Sequence, residues 1–252
     1  MIRIGSERET SGTVDPEEIA RFATQVEAWW EPKGSFRILH QINPVRLGFV
    51  RQHLLAHFGG DPSSLRPFAG LSLLDIGCGG GLIAEPMARL GFTVTGIDAS
   101  GETIKAAQRH ADAIGLAIDY RNTAVESIAE AGRLFDAVLA LEVVEHVADP
   151  AIFLGSVGAL VSPGGAFVAG TLNRTTRSFA LAIVGAEYIF GWLPPGTHDW
   201  RKFLRPSEFV LGLRRNGLLA TRLTGVRYDP RRGEWSLSPD LRVNYMVAAV
   251  RQ

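Results

Sequence analysis

Two carboxylates bracket a cluster of glycines in this chain, and their types and spacing suit a ligand that carries both a cation and a ribose. The stretch Leu71 to Gly81 reads LSLLDIGCGGG: apolar Leu71, Leu73, Leu74 and Ile76 with Asp75 among them, then Gly77, Gly79, Gly80 and Gly81. This is the pattern of a buried strand turning sharply into a helix, and such a turn lies where open α/β sheets bind ligands. Glycines there accept positive φ and let a ligand approach the main chain with no Cβ in the way. The next apolar run, TVTGID, ends in Asp98, 17 residues after Gly81. A carboxylate at that point accepts hydrogen bonds from both ribose hydroxyls.

Two cofactor classes use such a turn. Gly79, Gly81 and Ala84 satisfy the dinucleotide spacing G-x-G-x-x-G/A, which leaves a nicotinamide formally open. Asp75 argues against it, because a carboxylate two residues before the first glycine repels a pyrophosphate and favours a cation. S-adenosylmethionine offers an ammonium and a sulfonium and no phosphate, so the methyl donor is the better match. Asn122, Thr123, Ala124 and Val125, after the third expected strand, fall where its adenine would lie. Cys78, the one cysteine, sits inside the turn as a small side chain beside a ligand rather than as a nucleophile.

A second constellation follows the fourth expected strand. LEVVEHV places Glu142, Glu145 and His146 at the carboxyl edge of the sheet, over the expected methyl group. Two carboxylates and an imidazole suit Mg²⁺ or Mn²⁺ better than a thiol-seeking metal. The same spacing also fits Glu142 holding a substrate hydroxyl, and His146 acting as a general base or a structural cap.

The elements that must position these residues alternate. Strands are expected near 71–76, 92–97, 117–121, 135–141, 166–171, 218–225 and 243–250, with helices near 81–90, 101–114, 149–161 and 206–216. Alternation implies a doubly wound, mostly parallel sheet. No helical stretch separates the last two strands, where YDPRRGEWSLSPD supplies turn residues, so the last of seven strands should run antiparallel as a hairpin. Upstream, the first ten or so residues read as frayed, and Asp15 followed by Pro16, Glu17 and Glu18 starts a helix to about Trp30. Trp29 and Trp30 pack on the body or line the site's mouth. Asn43 and Pro44 open a second amphipathic helix with Arg46 in its first turn, where a cation opposes the helix dipole and hints at an anionic partner such as the donor's carboxylate.

Length, 252 residues, fits one α/β domain over 1–252, with an N-terminal helical extension at 15–58. Twenty-six basic and 26 acidic residues give no net field favouring nucleic acid. A single cysteine suits a reducing compartment, and the acidic, non-apolar N-terminus reads as neither signal nor transit peptide. The insertion at 173–205 reads as the acceptor side. Its SFALAIVGAEYIFGWL is 16 residues long, shorter than the roughly 20 that cross a bilayer. Flanked by Arg174, Arg177, Arg201, Lys202 and Arg205, it suits either an interfacial segment at anionic lipid or a buried lid.

The combination LHQINPVRL, LLDIGCGGG, VTGIDAS, LEVVEHV, TLNRTTRS, VGAEYI, PPGTHDWRKF and VNYM resembles the ubiquinone biosynthesis O-methyltransferase family in its bacterial form, over roughly residues 18–249. The resemblance implies a class I methyltransferase, a Rossmann-like seven-stranded sheet with an antiparallel last strand. It also implies an S-adenosylmethionine-dependent enzyme that methylates a polyprenyl catechol (2-polyprenyl-6-hydroxyphenol) and 3-demethylubiquinol. By the same resemblance Arg46, Gly77, Asp98 and Leu141 bind the donor, and Glu142, Glu145 and His146 match metal ligands of mitochondrial relatives, with Mg²⁺ as the cofactor. A bacterial cytoplasmic enzyme, peripheral to the inner membrane and in contact with other enzymes of the pathway, is implied as well. The competing readings are a methyltransferase of another phenolic or lipid acceptor, and a nicotinamide-binding protein or noncatalytic sensor.

Overall fold

The computed structural model describes residue 13 and residues 29–34, 36–181 and 199–252. The first residues, expected to fray, nearly all of the helix expected from Asp15 and the centre of the 173–205 insertion lie outside the described residues. Helix α1 (Arg37–Phe58) leads into β1 (Ser72–Ile76), α2 (Ala84–Arg89), β2 (Thr93–Asp98), α3 (Gly101–Ala113), β3 (Asp119–Asn122), α4 (Val125–Glu130) and β4 (Phe135–Leu141). Then come α5 (Pro150–Leu160), β5 (Val161–Leu172), α6 (Pro206–Arg215), β6 (Leu218–Asp229), β7 (Glu234–Ser238) and β8 (Asn244–Arg251).

The strands form one sheet in the order β3-β2-β1-β4-β5-β8-β6-β7. The five strands from β3 to β5 pair in parallel, and β8 enters antiparallel between β5 and β6. Sequence reading therefore finds the reversed last strand and misses one member, so the expected seven are eight. The stretch read as turn punctuation contains β7, which forms the hairpin with β6 through Tyr228↔Trp235. Only four residues, Pro230 to Gly233, make that turn, and Gly233 takes φ 68° to close it. The short α4 was likewise not expected.

Strand periodicity divides the core. Leu74 and Ile76 of β1 join Val138, Phe167 and Val247 on one face under α4, α5 and α6. Leu73 joins Leu139, Val168 and Ala248 on the other, covered by α1, α2 and α3. The two faces carry separate apolar clusters because adjacent side chains of a strand point to opposite sides. Asp75 therefore shares the α1 side with Leu73, and α1 becomes a wall of the site.

Helix α1 begins at Arg37, well before Pro44, which lies inside it. Proline costs one intrahelical hydrogen bond there. Burial of Ile42, Phe49, Val50 and Leu54 on the sheet offsets that loss. Arg46 is therefore in the helix interior, not the first turn, and the dipole argument for it fails. Its significance comes from burial instead.

Candidate active site

The turn after β1 is built as its residue types require. Gly77, Gly79 and Gly81 take φ 65°, 53° and 90°. A Cβ on Gly79 or Gly80 would run into the Trp29 ring, and one on Gly77 into Val143. Trp29 stacks on Phe36 at 3.9 Å between ring centroids, and Trp30 donates from its indole Nε1 to the Gly80 carbonyl at 2.9 Å. Trp30 also stacks on His110 at 3.6 Å, and His110 Nδ1 lies 2.7 Å from buried Glu85. Trp29 thus both packs and lines the cavity, whereas Trp30 packs against the turn and His110 and is not on the cavity wall.

A cavity of about 760 Å³ runs along this turn, the carboxyl ends of β2 and β4, and the β6–β7 hairpin. Arg46, Gly77, Asp98 and Leu141 all line it, as do Asp75, Cys78, Thr123, Ala124 and Val125. Asn122 does not; its amide donates to the Asp98 carbonyl at 3.0 Å. Asp98 fixes the turn directly, accepting from the Gly79 N–H at 3.1 Å and the Ser100 N–H at 2.8 Å. Burial raises its pKa against those two hydrogen bonds.

Asp75 is buried, and one carboxyl oxygen has no hydrogen-bond partner. Burial, then the nearby Asp98, pushes its pKa up to about 8, opposed by the Ala84 N–H. A buried acid of this kind is stabilised as a carboxylate by an incoming ammonium or sulfonium and destabilised by a phosphate. The cavity residues thus fit a cationic nucleoside. Cys78 is buried, its thiol pushed far up by burial and by Asp75 and Asp98, so no thiolate nucleophile forms there.

The acidic triplet is not gathered as the resemblance implies. Glu142 and His146 line the cavity, but Glu142 pairs with Arg46 at 2.6 Å. Glu145 is 2% exposed, off the cavity wall, and accepts from the Thr171 hydroxyl at 2.8 Å. Among the described residues no three His, Cys, Asp or Glu side chains converge as a metal site needs. The physical reason is local: LEVVEHV folds as a turn, with the His146 N–H on the Val143 carbonyl, and Glu145 is buried off the cavity while Glu142 faces it. The residues as placed do not fit Mg²⁺.

Sequence reading missed the apolar lining. Ile38, Leu39, Ile42, Leu172, Val226, Tyr228 and Trp235 all contribute to the cavity wall. Trp235 was visible only as part of a turn-rich stretch, and its place depends on the hairpin pairing.

A family model described as a methyltransferase domain matches residues 74–169, the segment from β1 to β5. A ubiquinone biosynthesis O-methyltransferase of Paramagnetospirillum magneticum is 52% identical over 95% of this chain and 96% of its own length. One of Azorhizobium caulinodans is 53% identical over 94% of both chains. In fold, the chain is similar to magnesium protoporphyrin IX methyltransferase from Synechocystis with bound S-adenosylhomocysteine, at TM-score 0.61, 19% identity and 94% coverage of each chain. It is similar as well to a possible histamine N-methyltransferase of Thermotoga maritima, at TM-score 0.60, 14% identity, and 94% and 99% coverage.

Proposed function

Because this chain belongs to the ubiquinone biosynthesis O-methyltransferase family, and is an S-adenosylmethionine-dependent enzyme, we propose that it methylates a hydroxyl of a polyprenyl catechol and of 3-demethylubiquinol. The observation that carries the reading is one cavity lined both by Asp75, Asp98 and the glycine turn and by apolar side chains such as Ile38, Leu172 and Val226. A charged donor and a greasy aromatic acceptor need both kinds of lining. The chain would act as one catalytic domain, with 15–58 as an N-terminal helical extension and 173–205 on the acceptor side.

When bound, the donor supplies an electrophilic methyl on sulfur: a carbon–oxygen bond forms as the carbon–sulfur bond breaks, and the electron pair leaves on sulfur. The protein's part is to align and to move one proton. Asp75 would face the donor's positive charge and Asp98 its ribose, with Leu141 beside it. His146, on the cavity wall with Glu142, takes the phenolic proton. A phenol has a pKa near 10, so at neutral pH a positioned base raises the reactive fraction.

The test is transfer of labelled methyl from S-adenosylmethionine to a short-chain prenylated catechol. Wild-type enzyme should form the methyl ether, and His146→Gln should lose roughly 100-fold in kcat at pH 7, the usual scale of one general base. The deficit should shrink as pH approaches 10 and the acceptor ionises unaided. A variant with the same deficit at every pH rules out His146 as the base, and no product from the catechol rules out the acceptor class.

A cytoplasmic enzyme on the inner membrane surface is the second part of the proposal. No helix among the described residues is long and apolar enough to cross a membrane. Phe179 and Leu181, at the start of the insertion, are 47% and 50% exposed, with Arg174, Arg177, Arg201 and Lys202 around them. Exposed apolar groups with basic flanks suit anionic headgroups. In vesicle flotation, Phe179→Glu with Leu181→Glu should lower the bound fraction several-fold on anionic vesicles; equal flotation of parent and variant refutes docking by this segment.

A further inference from the structure

The cavity's cations are not equivalent. Among the described lining residues they are Arg46, Arg177 and Arg227. Arg177 is 48% exposed at its side chain and faces Asp240 at 3.5 Å, and Arg227 is exposed. Arg46 alone is buried, on the wall shared with the glycine turn. A donor with one carboxylate therefore meets one buried guanidinium, and that group is already committed. Its Nη2 holds Glu142 Oε1 at 2.6 Å, and its Nη1 lies 3.4 Å from Asn43 Oδ1.

The partner is unusual too. Glu142 is the one described non-glycine residue with positive φ, 58°, a left-handed backbone that side-chain-bearing residues rarely adopt. Its N–H is fixed on the Gly170 carbonyl at 2.9 Å, so the strained backbone is anchored at the end of β4 and aims the side chain at the cavity. The Arg46 guanidinium thus stands where a metal would have to stand to use this carboxylate.

We propose that Glu142 is a built-in surrogate for the donor's carboxylate on Arg46. It neutralises the buried guanidinium until the donor's own carboxylate takes over that contact, and the released Glu142 then accepts a hydrogen bond from the acceptor's hydroxyl. Two carboxylates on one buried guanidinium repel, so the donor's arrival loosens Glu142. Donor binds first, and acceptor affinity depends on it. The inference rests on the donor reading of the cavity given above.

Calorimetry with two probes separates the outcomes. S-adenosylhomocysteine carries the carboxylate; 5′-methylthioadenosine has the same nucleoside and sulfur without it. In Glu142→Gln, S-adenosylhomocysteine should bind roughly tenfold more tightly than to wild type, within the usual range of coupling between sites, while 5′-methylthioadenosine is unchanged. The acceptor KM at saturating donor should rise in the same variant. Equal or weaker S-adenosylhomocysteine binding overturns the proposal, and so does an equal gain for both probes, which marks a general change of the cavity. If glutamine at this φ lowers the melting temperature, Glu142→Asn, whose side chain tolerates left-handed backbone, carries the same comparison. Failure of wild type to bind S-adenosylhomocysteine at all sinks the donor reading itself instead.

Discussion

Asp98→Ala should weaken S-adenosylhomocysteine binding by about 100-fold or more. The carboxylate has two duties: it would hold two ribose hydroxyls, and it fixes the glycine turn through the Gly79 N–H. Hydrogen bonds to a charged group are each worth about 1.5–3 kcal/mol, so losing two removes at least about 3 kcal/mol. Calorimetry reads the loss, and a variant within tenfold of wild type would mean that Asp98 does not face the ribose. The substitution has a second signature. Asp98 is the second cause, after burial, of the high Asp75 pKa. Both acids have folded pKa values above their ordinary range, so each favours the native state below pH 4 and loses that contribution as pH rises, through about 8 for Asp75. Removing Asp98 should therefore flatten the fall in melting temperature between pH 4 and 8. An unchanged slope would show that the two carboxyls do not interact.

Gly81→Ala should cost about 3 kcal/mol of stability. Gly81 combines φ 90° with a Cβ position that falls on the Tyr120 hydroxyl. The backbone accounts for about 1–2 kcal/mol and the overlap for about 1–3 kcal/mol. The two parts are separable, because the Tyr120 hydroxyl is buried with no hydrogen-bond partner and is expendable. Tyr120→Phe alone should be nearly neutral, and in the Gly81→Ala background it should recover the steric part and leave the backbone part. Denaturant unfolding measures all three. A double variant no more stable than Gly81→Ala would place the whole cost in the backbone.

Reading along the chain succeeds where a property is local. LSLLDIG announces a buried strand by its apolar run, and a glycine cluster announces a tight turn because few other residues adopt positive φ. Asp75 and Asp98 follow from the ends of neighbouring strands, and β1 and β2 do pair in parallel with Asp75 opposite Gly96. The start of α1 is misread because Pro44 is a strong local stop, overruled by burial against a distant sheet. Strand β7 is missed because Gly233 and Pro230 mark a loop, whereas pairing to β6 decides that a strand emerges from it.

The sequence by itself determined the chemistry on offer: two acids around a glycine turn, an imidazole after the fourth strand, and the alternation that brings strand ends to one edge. Those are matters of residue type and short-range spacing, and neighbours in sequence largely dictate them. Only the tertiary structure decided which groups face each other. That Trp29 covers Gly79, that Arg46 from α1 holds Glu142 after β4, and that Glu145 turns inward to Thr171 all join residues 26 to 96 positions apart. Such pairings depend on how helices settle on a sheet, and burial of the whole core, not any local preference, sets them.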